Sequence, residues 1–191
     1  MTTNTYGYPD DSQNTSPYTP AQQLRRMLWW IGHTLLIRWS FHNWYTWRRW
    51  ILRLYGANLA AQTYVSRTAR IEYPWNLTMK RQASIGREAW IYNLAPVTLE
   101  EHVTVSQRVT ICTGSHDYQQ PSMPQTRKPV LIRKGAWLAM ESFILPGVTI
   151  GEYAVIGARS VVTRDMPDAM VCAGHPCKPI KQRLPDDATT T

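Results

Sequence analysis

The stretch that decides the fold runs from residue 132 to residue 162 and reads IRKGAWLAMESFILPGVTIGEYAVIGARSVV. An aliphatic side chain recurs at every sixth position of it: Ile132, Leu138, Ile144, Ile150, Ile156 and Val162. The residue four places after an aliphatic one is often small, as at Ala136, Ser142 and Ala154. A period of six fits neither an amphipathic helix nor a strand with alternating faces. It fits short strands joined by turns, each strand pointing one aliphatic residue into a prism.

Two shorter ladders with the same spacing precede this stretch. One comprises Ile85, Ile91, Val97, Val103 and Val109, and the other, offset by two residues, comprises Val65, Ile71 and Leu77. A single coil of such a prism leaves its apolar face open, so coils must stack and the ends must be covered. The sequence therefore predicts an all-β fold, a parallel β-helix over residues 57–165, and a C-terminal cap over residues 166–184.

The ladder breaks once, between Val109 and Ile132. That gap of 23 residues exceeds a coil of 18 residues by five, so we expect a loop to leave the prism at residues 113–131. The loop contains the polar run Gly114-Ser115-His116-Asp117-Tyr118. A polar excursion on a regular scaffold is a common place for functional residues.

Residues 21–56 have a different character, because they hold six of the nine tryptophans, interleaved with arginines. Leu24, Met27, Leu28, Ile31 and Leu35 fall at helical spacing after Pro20, and a second short helix is predicted through Trp44, Trp47, Ile51 and Tyr55. Two interpretations stay open. The segment covers the open end of the solenoid with large aromatic side chains, or it binds a membrane as an interfacial helix.

The net charge of +8 is concentrated rather than uniform. Eight arginines and no acidic residue lie between Asp11 and Glu72, and the rest of the chain is close to balanced. With no nucleic-acid-binding motif beside these arginines, we expect no nucleic-acid partner. Residues 1–20 and 185–191 are polar without periodicity and are predicted to be a disordered lead-in and tail.

The three cysteines are an odd number without framework spacing, which is typical of a reducing compartment. Residues 1–20 contain no basic segment followed by an apolar one, so no secretory signal is predicted. The most apolar stretch, residues 27–37, is too short to cross a bilayer. We expect a cytoplasmic protein, with contact at the inner membrane face through residues 21–56 as an open alternative.

Over residues 55–184 the sequence resembles the hexapeptide-repeat acyltransferases. Within them it is similar to the colanic-acid-biosynthesis acetyltransferases, which are related to the maltose, galactoside and nodulation-factor O-acetyltransferases. The motifs that carry the resemblance are Tyr73-Pro74-Trp75-Asn76-Leu77, Tyr92-Asn93-Leu94, Cys112-Thr113-Gly114-Ser115-His116-Asp117, Pro146-Gly147-Val148-Thr149-Ile150-Gly151, the run 156–165 and Ala173-Gly174-His175-Pro176-Cys177-Lys178. His175 departs from the asparagine that is usual in the last motif.

The resemblance implies a left-handed parallel β-helix that assembles as a homotrimer with active sites between subunits. It also implies acetyl-coenzyme A as the donor and a sugar hydroxyl as the acceptor, in the biosynthesis of an exopolysaccharide or another cell-surface glycan. His116 matches the family's catalytic histidine, and a sugar hydroxyl needs such a general base to become a nucleophile. Asp117 receives no role, because neighbours on an extended chain face opposite ways.

The resemblance further implies a path for coenzyme A and a contact to the sugar. The residues along that path are Trp137 beside the thioester, Met140, Ala158, Thr163 and Arg164 beside the pantetheine, and Lys178 and Lys181 at the nucleotide phosphates. Asn93 matches an asparagine that binds the sugar acceptor. Without the resemblance, Asn93 reads as a turn residue, the lysines as a solvated tail and Trp137 as packing.

Two alternative functions are known or conceivable for such a fold. The same fold hosts a zinc-dependent carbonic anhydrase that needs three histidines, but no second histidine lies within several residues of His116, so we expect no metal. The other is a non-catalytic trimeric scaffold that associates with a membrane or with glycan-assembly partners through residues 21–56. The histidine together with the C-terminal lysines favours the enzyme.

Overall fold

The computed structural model describes residues 18–183, and its dominant feature is a prism of short parallel strands. The predicted lead-in up to residue 17 and the predicted tail at 185–191 lie outside the described residues. The first face of the prism consists of Asn58–Leu59, Leu77–Met79, Val97–Leu99, Val130–Ile132 and Thr149–Ile150. The second face consists of Tyr64–Val65, Ser84–Ile85, Thr104–Val105, Trp137–Leu138, Val155–Ile156, Met170–Gly174 and Cys177–Gln182. The third face consists of Arg70–Ile71, Trp90–Tyr92, Thr110–Cys112, Phe143–Ile144 and Val161–Val162.

The chain visits the three faces in turn, and five full coils stack with parallel pairing between each strand and its equivalent in the next coil. The six residues of the ladder that begins at Ile132 and ends at Val162 are all 0% exposed. Each contributes an inward side chain of its strand to the core of these two coils. The predicted parallel β-helix is therefore confirmed.

The first half of the solenoid has longer coils than the ladder suggested. Its inward residues on the first face, Leu59, Met79 and Leu99, are twenty residues apart, whereas Ile132 and Ile150 are eighteen apart. The extra residues lie at the corner between the third and first faces. Val103 and Val109 are consequently buried in turns. The inward strand residues are Val105 and Ile111, two positions further along.

The predicted loop is an ordered β-hairpin at that same corner. Its strands Gly114–His116 and Gln125–Arg127 pair in antiparallel fashion. The excursion is larger than the surplus of five residues expected from the ladder, because the strands before and after it lie on neighbouring faces and not a full coil apart. Ile144 and Ile150 at the same corner of the next coil are six residues apart, whereas Ile111 and Ile132 are 21 apart. After the fifth coil, Met166 bridges to Ile150, and the last two strands form an antiparallel pair at the end of the second face.

Two helices precede the solenoid. Helix α1, Pro20–Gly32, begins at a capping box in which Thr19 and Gln22 exchange side-chain-to-backbone hydrogen bonds. It continues as a π-helical stretch, His33–Arg38, and α2 follows at Tyr45–Leu54. Among the described residues, no helix is long and apolar enough to span a membrane.

The helices cover the open edge of the first coil. An uncovered edge strand leaves its carbonyl groups without partners. Here the side chains of the helical segment donate to these carbonyl oxygens in order around the coil: Arg53 to Leu59, Arg49 to Thr63, Arg48 to Val65, His33 to Ala69 and Trp29 to Ile71. The helical segment is thus a cap, one of the two interpretations left open by the sequence.

Candidate active site

His116 lies at the exposed end of the hairpin strand Gly114–His116, opposite Gln125. Its Nδ1 is 2.7 Å from the carbonyl oxygen of Met123, on the turn of the same hairpin. A carbonyl oxygen only accepts, so Nδ1 carries the hydrogen, and in the neutral ring Nε2 keeps its lone pair. The hairpin therefore holds His116 in the tautomer that a general base at Nε2 requires.

Asp117 does not contact the imidazole through a hydrogen bond. Its carboxylate accepts from the backbone amide of Gln119 at 3.1 Å and from Nε2 of Gln120 at 2.8 Å, and its own amide donates to Pro124. These bonds shape the turn that carries Met123. Asp117 thus supports the hairpin.

Asn93 is buried at the corner between the third and first faces. Its side-chain oxygen accepts from the backbone amide of Tyr73 at 2.9 Å, and its side-chain nitrogen donates to the carbonyl oxygen of Tyr73 at 2.6 Å. With 0% exposure, it has no surface within this chain with which to bind a sugar. The contacts are those of the turn residue that the sequence alone suggested. Thr113 repeats the pattern one coil later by accepting from Ala95.

The structure reveals an aromatic and arginine cluster beside the hairpin that sequence reasoning did not single out. The guanidinium of Arg127 lies 5.6 Å from the ring of Tyr18, and that of Arg26 lies 4.2 Å from the same ring. Tyr73 donates its hydroxyl to Tyr18, and burial raises the pKa of Tyr73. The motif Tyr73-Pro74-Trp75-Asn76 was the sequence signal that could have pointed to this cluster. Its residues Tyr73, Trp75 and Asn76 line a cavity here.

The residues that the resemblance assigns to coenzyme A, taken together with His116, fall in two groups, and the first lies along the second face. Trp137 is on that face, and its indole donates to the Ser106 hydroxyl at 2.9 Å. Met140 and Ala158 occupy equivalent turns of successive coils, at the corner between the second and third faces. The amide of Arg159 donates to the carbonyl oxygen of Met140, which joins these turns.

Lys178 and Lys181 also belong to the first group. Both lie exposed on Cys177–Gln182, the edge strand of the second face. They therefore place positive charge at the C-terminal end of the face that carries Trp137.

The second group comprises Thr163, Arg164 and the hairpin residue His116. Thr163 and Arg164 follow the strand Val161–Val162 directly, at the corner between the third and first faces. The hairpin leaves the prism at the same corner, two coils earlier. The third face thus separates this group from the residues on the second face. One chain does not bring all of the matched residues together.

No group of three histidine, cysteine, aspartate or glutamate side chains within residues 18–183 is placed to hold a metal ion.

Known proteins resemble the chain in both sequence and fold. The family model described as "Bacterial transferase hexapeptide (six repeats)" matches residues 129–164, which span the fourth and fifth coils. A protein of Escherichia coli (strain K12) named "Putative colanic acid biosynthesis acetyltransferase WcaF" is 36% identical over 161 residues. The match covers 84% of this chain and 88% of that protein.

Two solved structures share the architecture. A maltose O-acetyltransferase from Clostridium difficile 630 has a TM-score of 0.74 and 29% identity, over 83% of this chain and 87% of the other. A galactoside acetyltransferase in complex with coenzyme A has a TM-score of 0.80 and 23% identity, over 88% of this chain and 85% of the other, a likeness of fold. The class is thus the left-handed parallel β-helix, as the resemblance implied. The chain belongs to the hexapeptide-repeat acetyltransferases.

Proposed function

We propose that the protein transfers an acetyl group from acetyl-coenzyme A to a sugar hydroxyl, with His116 as the general base. The observation that carries the proposal is the hydrogen bond from Nδ1 of His116 to the Met123 carbonyl oxygen. It leaves Nε2 unprotonated in the neutral ring, on a hairpin that projects from an otherwise regular scaffold. A positioned imidazole of this kind typically accelerates proton transfer by about a hundredfold to ten-thousandfold.

The reaction balances with this one residue as proton carrier. Nε2 takes the proton of the sugar hydroxyl while the hydroxyl oxygen attacks the thioester carbon. The tetrahedral intermediate expels the coenzyme A sulfur, which receives the proton from Nε2. The products are the sugar ester and free coenzyme A. Fixed backbone amides of the coils would stabilise the oxyanion.

The donor would lie between two subunits of a homotrimer. In one chain, the third face separates the matched residues on the second face from those at the corner with the first face. A groove between two neighbouring chains can bring the two groups together, which supports this arrangement. Trp137, Met140 and Ala158 would come from one subunit. His116, Thr163 and Arg164 would come from the other. The coenzyme A held by the solved galactoside acetyltransferase supports the choice of donor.

Lys178 and Lys181 would bind the nucleotide phosphates at the C-terminal end of this groove. Both are exposed on an edge strand, and ammonium groups serve well as point charges for phosphate.

The acceptor would be a sugar of an exopolysaccharide or another cell-surface glycan, modified on the cytoplasmic side of the membrane. The name of the relative WcaF supports this class. Arg26, Arg127 and the surrounding tyrosines lie beside the hairpin and would border the acceptor. Asn93 would act through the Tyr73 corner as a positioning residue, because its amide is enclosed.

Calorimetric titration of acetyl-coenzyme A into the protein tests the donor. Micromolar binding, on the order of −8 kcal/mol, that weakens in the Lys178→Ala/Lys181→Ala variant would support both the donor and the groove. The Lys80→Ala variant is a matched control, because Lys80 is an exposed lysine outside this groove. No detectable binding by a folded trimer would contradict the proposal and favour the scaffold.

A further inference from the structure

The apolar stripe of helix α1 and of the π-helical stretch that continues it faces away from the solenoid. Leu24, Leu28, Ile31 and Leu35 recur at helical spacing, and all four are exposed. The buried side of the helix carries Trp29 instead. A helix that packs its apolar face against its own domain would show the reverse pattern. The apolar face of α1 is therefore unpartnered within the described chain.

Helix α2 and the segment before it continue this outward apolar surface. Trp39, Trp44, Trp47 and Trp50 are exposed, Trp39 at 77%. The rings of the last three contact one another in sequence. The hydroxyl of Tyr55, at the end of α2, donates to the carbonyl oxygen of Leu28, so the two helices adjoin. We call these eight outward residues the cap surface: Leu24, Leu28, Ile31, Leu35, Trp39, Trp44, Trp47 and Trp50.

The hydrogen bonds to the first coil fix the orientation of the cap surface. Trp29 and Arg48 donate to carbonyl oxygens of Ile71 and Val65 at 2.8 and 2.7 Å, from the sides of α1 and α2 that face the prism. Rotating either helix to bury its leucines or tryptophans would break these bonds and leave a buried guanidinium without partners. The exposure of the cap surface is thus built into the way the solenoid is closed.

The helical segment that carries the cap surface bears charge of a single sign. No aspartate or glutamate occurs between Asp11 and Glu72, and Arg38 lies exposed between Leu35 and Trp39 in the sequence. Leucine and tryptophan on one helix face, flanked by cations and without acidic residues, are the composition of helices that lie in the plane of an anionic membrane. Tryptophan is also the residue enriched at the level of the lipid headgroups.

We propose that the cap surface docks on the face of an anionic lipid bilayer. Leucine and tryptophan side chains would enter the boundary between headgroups and acyl chains, while Arg38 remains at the phosphates. The three caps of the proposed trimer would lie at the same end of three parallel solenoids and reach one plane together. Membrane docking is a property separate from the proposed acetyl transfer, and vesicle binding can be measured without that reaction.

Vesicle flotation of the full chain tests the proposal. We expect wild type to float with vesicles of phosphatidylethanolamine and phosphatidylglycerol, and more weakly with phosphatidylcholine alone. The variant Leu35→Gln/Trp39→Gln/Trp50→Gln should lose more than about tenfold in binding. The matched control Tyr153→Gln/Ile180→Gln replaces exposed apolar residues outside the cap surface and should bind as wild type does.

A second variant tests the same surface with a single exposed substitution, in case the triple variant does not fold. Arg38→Gln alters only an exposed charge and should weaken binding to the anionic vesicles several-fold, with an effect that shrinks in high salt. Acetyl-coenzyme A titration on the same samples reports separately on the proposed reaction.

Failure of wild type to float with the anionic vesicles would overturn the proposal, as would flotation of a folded triple variant at the wild-type level. So would a wild type that stays free of vesicles but doubles its trimer mass through this surface, because the occupant would then be a second copy.

Discussion

The imidazole of His116 donates from Nδ1 to the carbonyl oxygen of Met123, seven residues further along the same hairpin. The bond joins one hairpin strand to its turn, so the position of the base depends on the hairpin and not on the neighbouring coils. It predicts that the neutral ring carries its hydrogen on Nδ1. Nitrogen-15 NMR of the histidine side chains should show this tautomer, and a ring protonated on Nε2 alone would contradict it.

The buried guanidinium of Arg48 predicts a large effect on stability. It donates to the carbonyl oxygens of Val65, Phe41 and His42 and to the Ser40 hydroxyl. Replacing Arg48 by Met removes the donor from the Val65 and His42 carbonyl oxygens, although Phe41 keeps the amide of Trp44. This should lower the free energy of unfolding by about 2–4 kcal/mol.

Denaturant unfolding would measure this loss, with Arg49→Met as the matched control. Arg49 is only partly buried and reaches the Thr63 carbonyl oxygen at 3.3 Å. Its replacement should cost less than about 1 kcal/mol. Equal losses for the two variants would show that Arg48 does not hold the cap on the solenoid.

Because His33 is part of the cap, we expect mild acid to weaken the packing of the cap on the solenoid. Burial lowers the pKa of His33 below its ordinary value of 6.5, so the unfolded chain binds a proton that the folded chain resists. The free energy of unfolding should therefore fall as the pH drops below about 6.5, and this fall should end below the folded pKa. His33→Gln can still donate to Ala69 and should flatten the slope in thermal melts. If the dependence of stability on pH were the same in His33→Gln as in wild type, His33 would not be its cause.

Asn93 allows a direct contact with the sugar to be separated from a structural role. Asn93→Ala leaves the buried backbone amide of Tyr73 without a partner, while the Tyr73 carbonyl oxygen keeps the amide of Asn76. Stability should fall by about 1–3 kcal/mol. Asn76→Ala, at a half-buried neighbour on the same corner, should cost less because water can replace it. If Asn93→Ala instead raised the acceptor KM with stability unchanged, Asn93 would be a direct ligand of the sugar.

The second half of the solenoid was predictable residue by residue from the ladder. Coils of eighteen residues give each face one inward aliphatic residue at a constant spacing of six, and nothing interrupts it from Ile132 to Val162. In the first half, two added residues per coil shift the ladder. Val103 and Val109 nevertheless match the six-residue spacing, because the position two residues before each inward residue is also aliphatic and buried. Only the strand pairing shows that Val105 and Ile111 are the inward strand residues.

The cap and the acceptor side of the site could not be predicted in the same way. The stripe beginning at Leu24 follows helical periodicity, but periodicity does not say whether an apolar face meets a core or remains exposed. In the sequence, nothing distinguishes Arg48 from the other seven arginines between Asp11 and Glu72. Arg48 is buried because the cap places it over the Val65 carbonyl oxygen of the first coil. The contact of Tyr18 with Arg127 joins residues more than a hundred positions apart.

The role of His116 is the central claim, and steady-state turnover tests it most directly. Release of coenzyme A from acetyl-coenzyme A would be followed with a panel of sugar acceptors for wild type, His116→Ala and Tyr118→Ala. The last variant replaces an exposed side chain on the same hairpin. His116→Ala should lower kcat by about a hundredfold to ten-thousandfold with unchanged donor binding, while Tyr118→Ala retains turnover. A folded His116→Ala protein that acetylates its acceptor at the wild-type rate would contradict the account.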